Sequence, residues 1–178
     1  MDFLDISLFF SILLCALATG FILTYAIIVM PGLSKLDDKE FIKAFQVTDG
    51  IIQNNQPIFI LIWVGSIISV LGTIITSILS LGIVEAWPII FVGVIYLLGV
   101  QVITILIHLP LNKHIQKIDI NSTNSQTLSE VRKNFETKWN YFNNIRTGFA
   151  LFVILIFLLI LTIRCLLYTS PSPRDRNV

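Results

Sequence analysis

Charge is what this sequence has least of. Only 13% of its residues are Asp, Glu, Lys or Arg, roughly half the share of an ordinary soluble domain. The net charge is +1, and the basic residues are not interleaved with aromatics as in a single-strand-binding groove. No nucleic acid is expected as a partner. Cysteine is scarce too. Cys15 and Cys165 do not form a Cys-x-x-Cys, which removes a dithiol redox centre. Of the two histidines, His108 and His114, only His108 borders an apolar run. A bis-histidine haem or a zinc site wants at least two inward imidazoles, so neither a metal nor a cofactor is expected.

What fills the chain instead is hydrocarbon. Hydrophobic residues make up 55% of it, the mean hydropathy is +0.85, and the apolar residues come in long uninterrupted runs. Such runs are membrane spans. The first, over 6–30, is long enough to cross a hydrocarbon core of ~30 Å. Met1 to Asp5 carries two aspartates and no basic residue, so a retained span is expected rather than a signal peptide. Pro31-Gly32 should end it. Residues 33–56 read as an amphipathic helix that Asp37 or Asp38 can cap. Phe41, Phe45 and Ile52 share its apolar side, and Lys39, Lys43 and Asp49 fall elsewhere.

The second span covers 58–81. Gly65, Ser69, Thr73 and Thr76 or Ser77 form a small-residue stripe along it, a surface suited to close helix packing and to a homo-oligomer. A tight turn over Gly82 to Pro88 leads to a third span at 89–109, where Gln101, Thr104 and His108 share one stripe. Leu109-Pro110-Leu111-Asn112 should end or kink that helix. Thr127 with Glu130 makes a capping box for a helix that runs through RKNFETKWNYFNNIRT into a fourth span at 148–164. Residues 165–178 turn abruptly to Ser, Pro and Arg. They resemble a translated sequencing-adaptor tail and are read as non-native, leaving 1–164 as the membrane domain.

The expected fold is therefore all-α. It is an integral membrane four-helix bundle, with an amphipathic segment between spans one and two and a cytoplasmic helical extension preceding span four. Lys35, Lys39 and Lys43 lie in one long loop; Lys113, Lys117, Arg132, Lys133, Lys138 and Arg146 lie around the other. The opposite side has no basic residue before Arg164. The positive-inside rule puts both long loops in the cytoplasm and the termini outside, in a plasma (inner) membrane.

At about 100° per residue, Trp139, Asn143 and Arg146 share one face, which Arg132 and Glu136 extend backwards. Amide and guanidinium groups at a lipid boundary need polar partners, and His108, Asn112 and Asn54 come to the same boundary. We expect these side chains to meet in a shared pocket near the inner leaflet.

Pro31-Gly32-Leu33, Leu109-Pro110-Leu111-Asn112 and Phe135-x3-Trp139-x3-Asn143-x2-Arg146-Thr147, set on four spans, resemble the anthrone-oxygenase-like family of small membrane proteins. The likeness covers nearly the whole chain up to about Arg164. Named members oxidise anthrones to anthraquinones with molecular oxygen, without a metal or flavin. The resemblance points to Asn112, Trp139, Asn143 and Arg146, with His108 just ahead of the first of them.

Two readings stay open. In one, the cluster is a structural clasp that also binds a lipid or a hydrophobic small molecule. In the other, the protein is a cofactor-free oxidoreductase acting on a membrane-soluble aromatic. There His108 would be the base, Asn112, Asn143 and Arg146 the donors to an oxyanion, and Trp139 a stacking surface.

Overall fold

Inside a bilayer every backbone polar group must find its partner within the protein, and the apolar runs accordingly fold as helices. The computed structural model describes residues 2–169. Four helices are long and apolar enough to cross a membrane: α1 (Phe3–Leu33), α3 (Pro57–Leu81), α4 (Ile83–Gln116) and α5, whose helical stretch is Ser125–Thr169. A shorter helix, α2 (Asp38–Gln53), lies between the first two. The protein is an all-α integral membrane protein, and large apolar side chains such as Leu61, Leu79 and Leu106 point outward, 68%, 80% and 68% exposed.

Pro31, expected to end its helix, and Pro110, expected to end or kink its own, both lie inside continuous helices. α1 continues through Pro31 and α4 through Pro110. Each proline follows a wide π-type turn, at Tyr25–Val29 in α1 and at Thr104–His108 in α4. In these turns Met30 N–H donates to the Tyr25 carbonyl and Leu109 N–H to that of Thr104. A proline lacks the donor that an α-helix needs and crowds the carbonyl four residues back; an extra residue in the preceding turn loosens both constraints. α4 also starts earlier than expected. Gly82, at φ 80°, reverses the chain by itself, a left-handed conformation that glycine adopts without strain.

The other boundaries follow their caps. Asp37, not Asp38, caps α2, its carboxylate accepting from Glu40 N–H at 2.8 Å. Asn124 caps α5 by accepting from Thr127 N–H at 2.8 Å, in place of the expected Thr127–Glu130 box. α5 stays helical past residue 165, since Leu166, Leu167 and Tyr168 are compatible with a helix. The Ser-Pro-Ser-Pro-Arg part of the expected adaptor-derived tail lies outside the described residues.

α1 packs against α3 through hydroxyl pairs, Ser7–Thr76 and Ser11–Thr73, each at 2.8 Å. A Cβ on Gly65 would sit 3.4 Å from Leu14. The small-residue stripe thus serves close helix packing, with α1 of the same chain against it. The bundle centre is apolar, built on Leu8, Val70, Tyr96, Val153 and Phe157. A second cluster at the long-loop end joins α2 to the bundle through Phe41, Phe45, Ile115, Phe135 and Trp139. Arg132 pins this end: it bonds Asp38 at 3.0 Å and Glu136 at 3.1 Å, reaches the Ser34 and Leu36 carbonyls, and covers the Phe41 ring at 4.6 Å.

The α2 face differs from expectation in one respect that matters. Asp49 is buried, 2% exposed, beside Phe41, Ile42 and Phe45. Spacings of three and four from Ile42 through Phe45 bring it back to the apolar side.

Candidate functional site

α5 presents Trp139, Asn143 and Arg146 on one face, at 2%, 0% and 8% exposure. The Arg146 guanidinium donates twice to Asn143 Oδ1, at 3.0 and 2.8 Å, and once to Thr104 Oγ1 on α4, at 3.0 Å. Both acceptors are neutral, and Arg146 has no carboxylate partner among the described residues. Asn143 in turn donates to the Ile22 carbonyl of α1 at 3.3 Å. Asn143 therefore ties α5 to α1 and holds the guanidinium that reaches α4, but does not itself line the space in front of it.

Trp139 occupies the middle. Its indole N–H donates to Asn112 Oδ1 at 3.0 Å, and Asn112 Nδ2 donates to Asp49 Oδ1 at 2.7 Å. The guanidinium carbon of Arg146 lies 5.6 Å from its ring centroid. His108 meets the same ring edge-on, 5.0 Å between centroids, and Tyr25 lies 5.5 Å away. His108 is 2% exposed, yet neither of its ring nitrogens completes a hydrogen bond. A buried imidazole that borders a cavity is free to hydrogen-bond a group placed there.

These groups surround a cavity of about 410 Å³, within the size range of small-molecule sites. Tyr25, Asp49, Trp63, Gln101, Thr104, His108, Asn112, Trp139 and Arg146 form its polar part, and Ala18, Phe21, Ile22 and Ile60 are among its apolar lining. Burial pushes the Asp49 carboxyl above the usual carboxylate range, opposed by hydrogen bonds from Gln116 and Asn112. Among the described residues, no three His, Cys, Asp or Glu side chains group as metal ligands.

The structure brings His108, Asn112, Trp139, Asn143 and Arg146 together. Asn54 stands apart: it ends α2, is exposed, and leaves the lining to its neighbours Gln53 and Asn55. The sequence reading passed over Tyr25, Asp49 and Trp63. Asp49 was detectable from its spacing to Phe45 and Ile42. Trp63 and Tyr25 give no such signal, because an aromatic in a span is usually packing.

The family model for anthrone oxygenase matches residues 53–156. The chain belongs to the anthrone oxygenase family. Within this family match lie Trp63, Gln101, His108, Asn112, Trp139, Asn143 and Arg146, whereas Tyr25 and Asp49 precede it. No curated protein and no solved structure matches the chain.

Proposed function

We propose that this anthrone oxygenase family member binds a membrane-soluble aromatic in the cavity and oxidises it with molecular oxygen, using its own side chains as base and oxyanion holder. The observation that carries this reading is a buried imidazole beside a buried guanidinium on one cavity wall. Neither His108 nitrogen completes a hydrogen bond within the protein, and Arg146, which ties α5 to α4 through Thr104, has only neutral partners. The Asp49–Asn112–Trp139 chain and the Asn143–Ile22 bond hold the helices without drawing on His108.

An anthrone is a carbon acid whose enolate is a fused aromatic. Neutral His108 takes a proton from the methylene carbon, and Arg146 stabilises the negative charge that forms on the oxygen. Oxygen accepts the electron pair in one-electron steps and forms a carbon–oxygen bond. The imidazolium then returns its proton to give the hydroperoxide. Loss of the remaining methylene proton with cleavage of the O–O bond releases water and leaves a second carbonyl. The balance is anthrone plus dioxygen to anthraquinone plus water. Trp139 offers its face to the fused rings. The excess of Lys and Arg at the long-loop end supports a cytoplasmic location for this site.

The test is detergent-purified protein given anthrone and oxygen, with quinone absorbance followed against time and tryptophan quenching read for binding. Conversion that is lost in His108→Leu while quenching persists supports the reading. Anthrone that neither quenches nor converts overturns it, and leaves a protein whose polar cluster serves only as a clasp within the bilayer.

A further inference from the structure

We propose that Asp49 is a positioning residue for this site, acting through Asn112 to fix the indole of Trp139. The inference rests on the cavity being the ligand site, and it concerns a residue that lies outside the family match.

Donor and acceptor chemistry alone fixes the direction of the chain. An ionised carboxylate only accepts, and an indole N–H only donates. Asn112 sits between them, its Nδ2 2.7 Å from Asp49 Oδ1 and its Oδ1 3.0 Å from Trp139 Nε1. An amide can be turned either way in isolation, but here only one orientation satisfies both neighbours. Without the carboxylate, the amide either keeps its direction and leaves an N–H unpaired or turns over and sets a donor against the indole donor. The first frees the Asn112 amide to rotate and so loosens the indole bond, and the second breaks it.

Asp49 is itself held rigidly. Its second oxygen accepts from Gln116 Nε2 at 3.1 Å, and the same amide nitrogen reaches the Gln46 carbonyl at 3.0 Å. Gln46 returns two bonds, to the Ile115 and Ile118 carbonyls at 2.8 and 2.9 Å. α2 is thereby tied to the end of α4 on both sides of the carboxylate. Trp139 is the neighbour common to Arg146, His108 and Tyr25, so fixing its plane fixes the wall they share. A carboxylate on an interfacial helix thus governs the aromatic face of the site without touching the ring.

Trp139 can be made its own reporter. The chain holds three tryptophans, and Trp63→Phe with Trp87→Phe leaves Trp139 alone. In the full-length protein in detergent, without any ligand, acrylamide quenching and steady-state anisotropy of this emission are measured. Asp49→Leu and Asn112→Leu should each raise the quenching constant at least twofold, and the double variant should add nothing further. Asp49→Asn, which keeps an acceptor for Asn112 but sets a donor against Gln116 Nε2, should fall between the parent and Asp49→Leu. If Asp49→Leu does not fold, Asp49→Ala takes its place under the same reading.

Unchanged emission in a folded Asp49→Leu or Asp49→Ala overturns the proposal, even if the melting temperature falls. So does Asp49→Asn behaving as badly as Asp49→Leu. Because this measurement uses no ligand, it is independent of anthrone binding: a protein that ignores anthrone but passes the emission test loses the functional reading and keeps the positioning one.

Discussion

Two arginines near opposite ends of α5's bundle segment are handled in opposite ways. Arg164, at the end carrying the N-terminus, pairs with Asp5 at 2.7 Å and Asp2 at 2.8 Å. Asp5 is 1% exposed, so the pair is mostly withdrawn from solvent. Arg146, at the long-loop end, is 8% exposed and is held by an amide oxygen and a hydroxyl. A neutral acceptor orients a guanidinium but leaves its charge uncompensated, and an uncompensated charge in low dielectric has most to gain from a partner. Around Arg164 the helices close on hydroxyl pairs; around Arg146 they leave a cavity. One end closes on ion pairs, the other opens on a cavity.

The sharpest way to break this contrast is to remove each arginine in turn. Arg164→Leu strands the Asp5 carboxylate, and the loss should be the largest of any discussed here, about 3–5 kcal/mol, seen as a lower melting temperature with anthrone binding unchanged. Adding Asp5→Leu should recover most of it. Arg146→Leu should do the reverse: stability within about 1 kcal/mol of the parent, since the desolvation cost of the cation goes with it, and anthrone affinity down roughly 10- to 100-fold from the loss of a charged hydrogen bond. Equal effects of the two substitutions on melting temperature would erase the distinction.

Smaller effects sharpen it. Trp139→Phe keeps the ring and deletes the bond to Asn112, and thermal unfolding should report a loss of about 1 kcal/mol. The smallest expected effect is on pH. Burial raises the Asp49 carboxyl in the folded state, so the folded protein binds its proton more tightly than the unfolded chain does. The resulting stabilisation is complete below the ordinary carboxylate range and is lost as pH climbs through the raised folded value. Melting temperature should therefore decline across that window, and Asp49→Asn should flatten the decline. A parent profile identical to that of Asp49→Asn would mean that the carboxyl is not strained by its surroundings.

Much of the bundle was legible because hydrophobic runs are a one-dimensional signal: their length alone marks a span. The α5 face was legible too, since Trp139, Asn143 and Arg146 repeat at helical spacing. Asn54 misled because proximity to a span in sequence does not say which way a helix-ending residue points. Asp49 was missed for the opposite reason, a charged residue on a buried face being judged by its chemistry rather than by its angle. Pro31 reads as a stop, and Pro110 as a stop or a kink, because a proline's missing donor is local, whereas the wide turn that accommodates it lies in the preceding residues and has no composition of its own.

Those wide turns carry a consequence for how this protein can change. α4 contains two, at Leu97–Val102 and Thr104–His108, and each takes up a surplus residue locally, so that the helix on either side keeps its phase. Deleting a single residue within Leu97–Val102 should therefore close the wide turn to an ordinary one and leave His108 and Asn112 on the cavity side. The same deletion in an ordinary turn of α4 would swing everything beyond it by about 100° around the axis, so the wide turns are where this span can change length without losing its site.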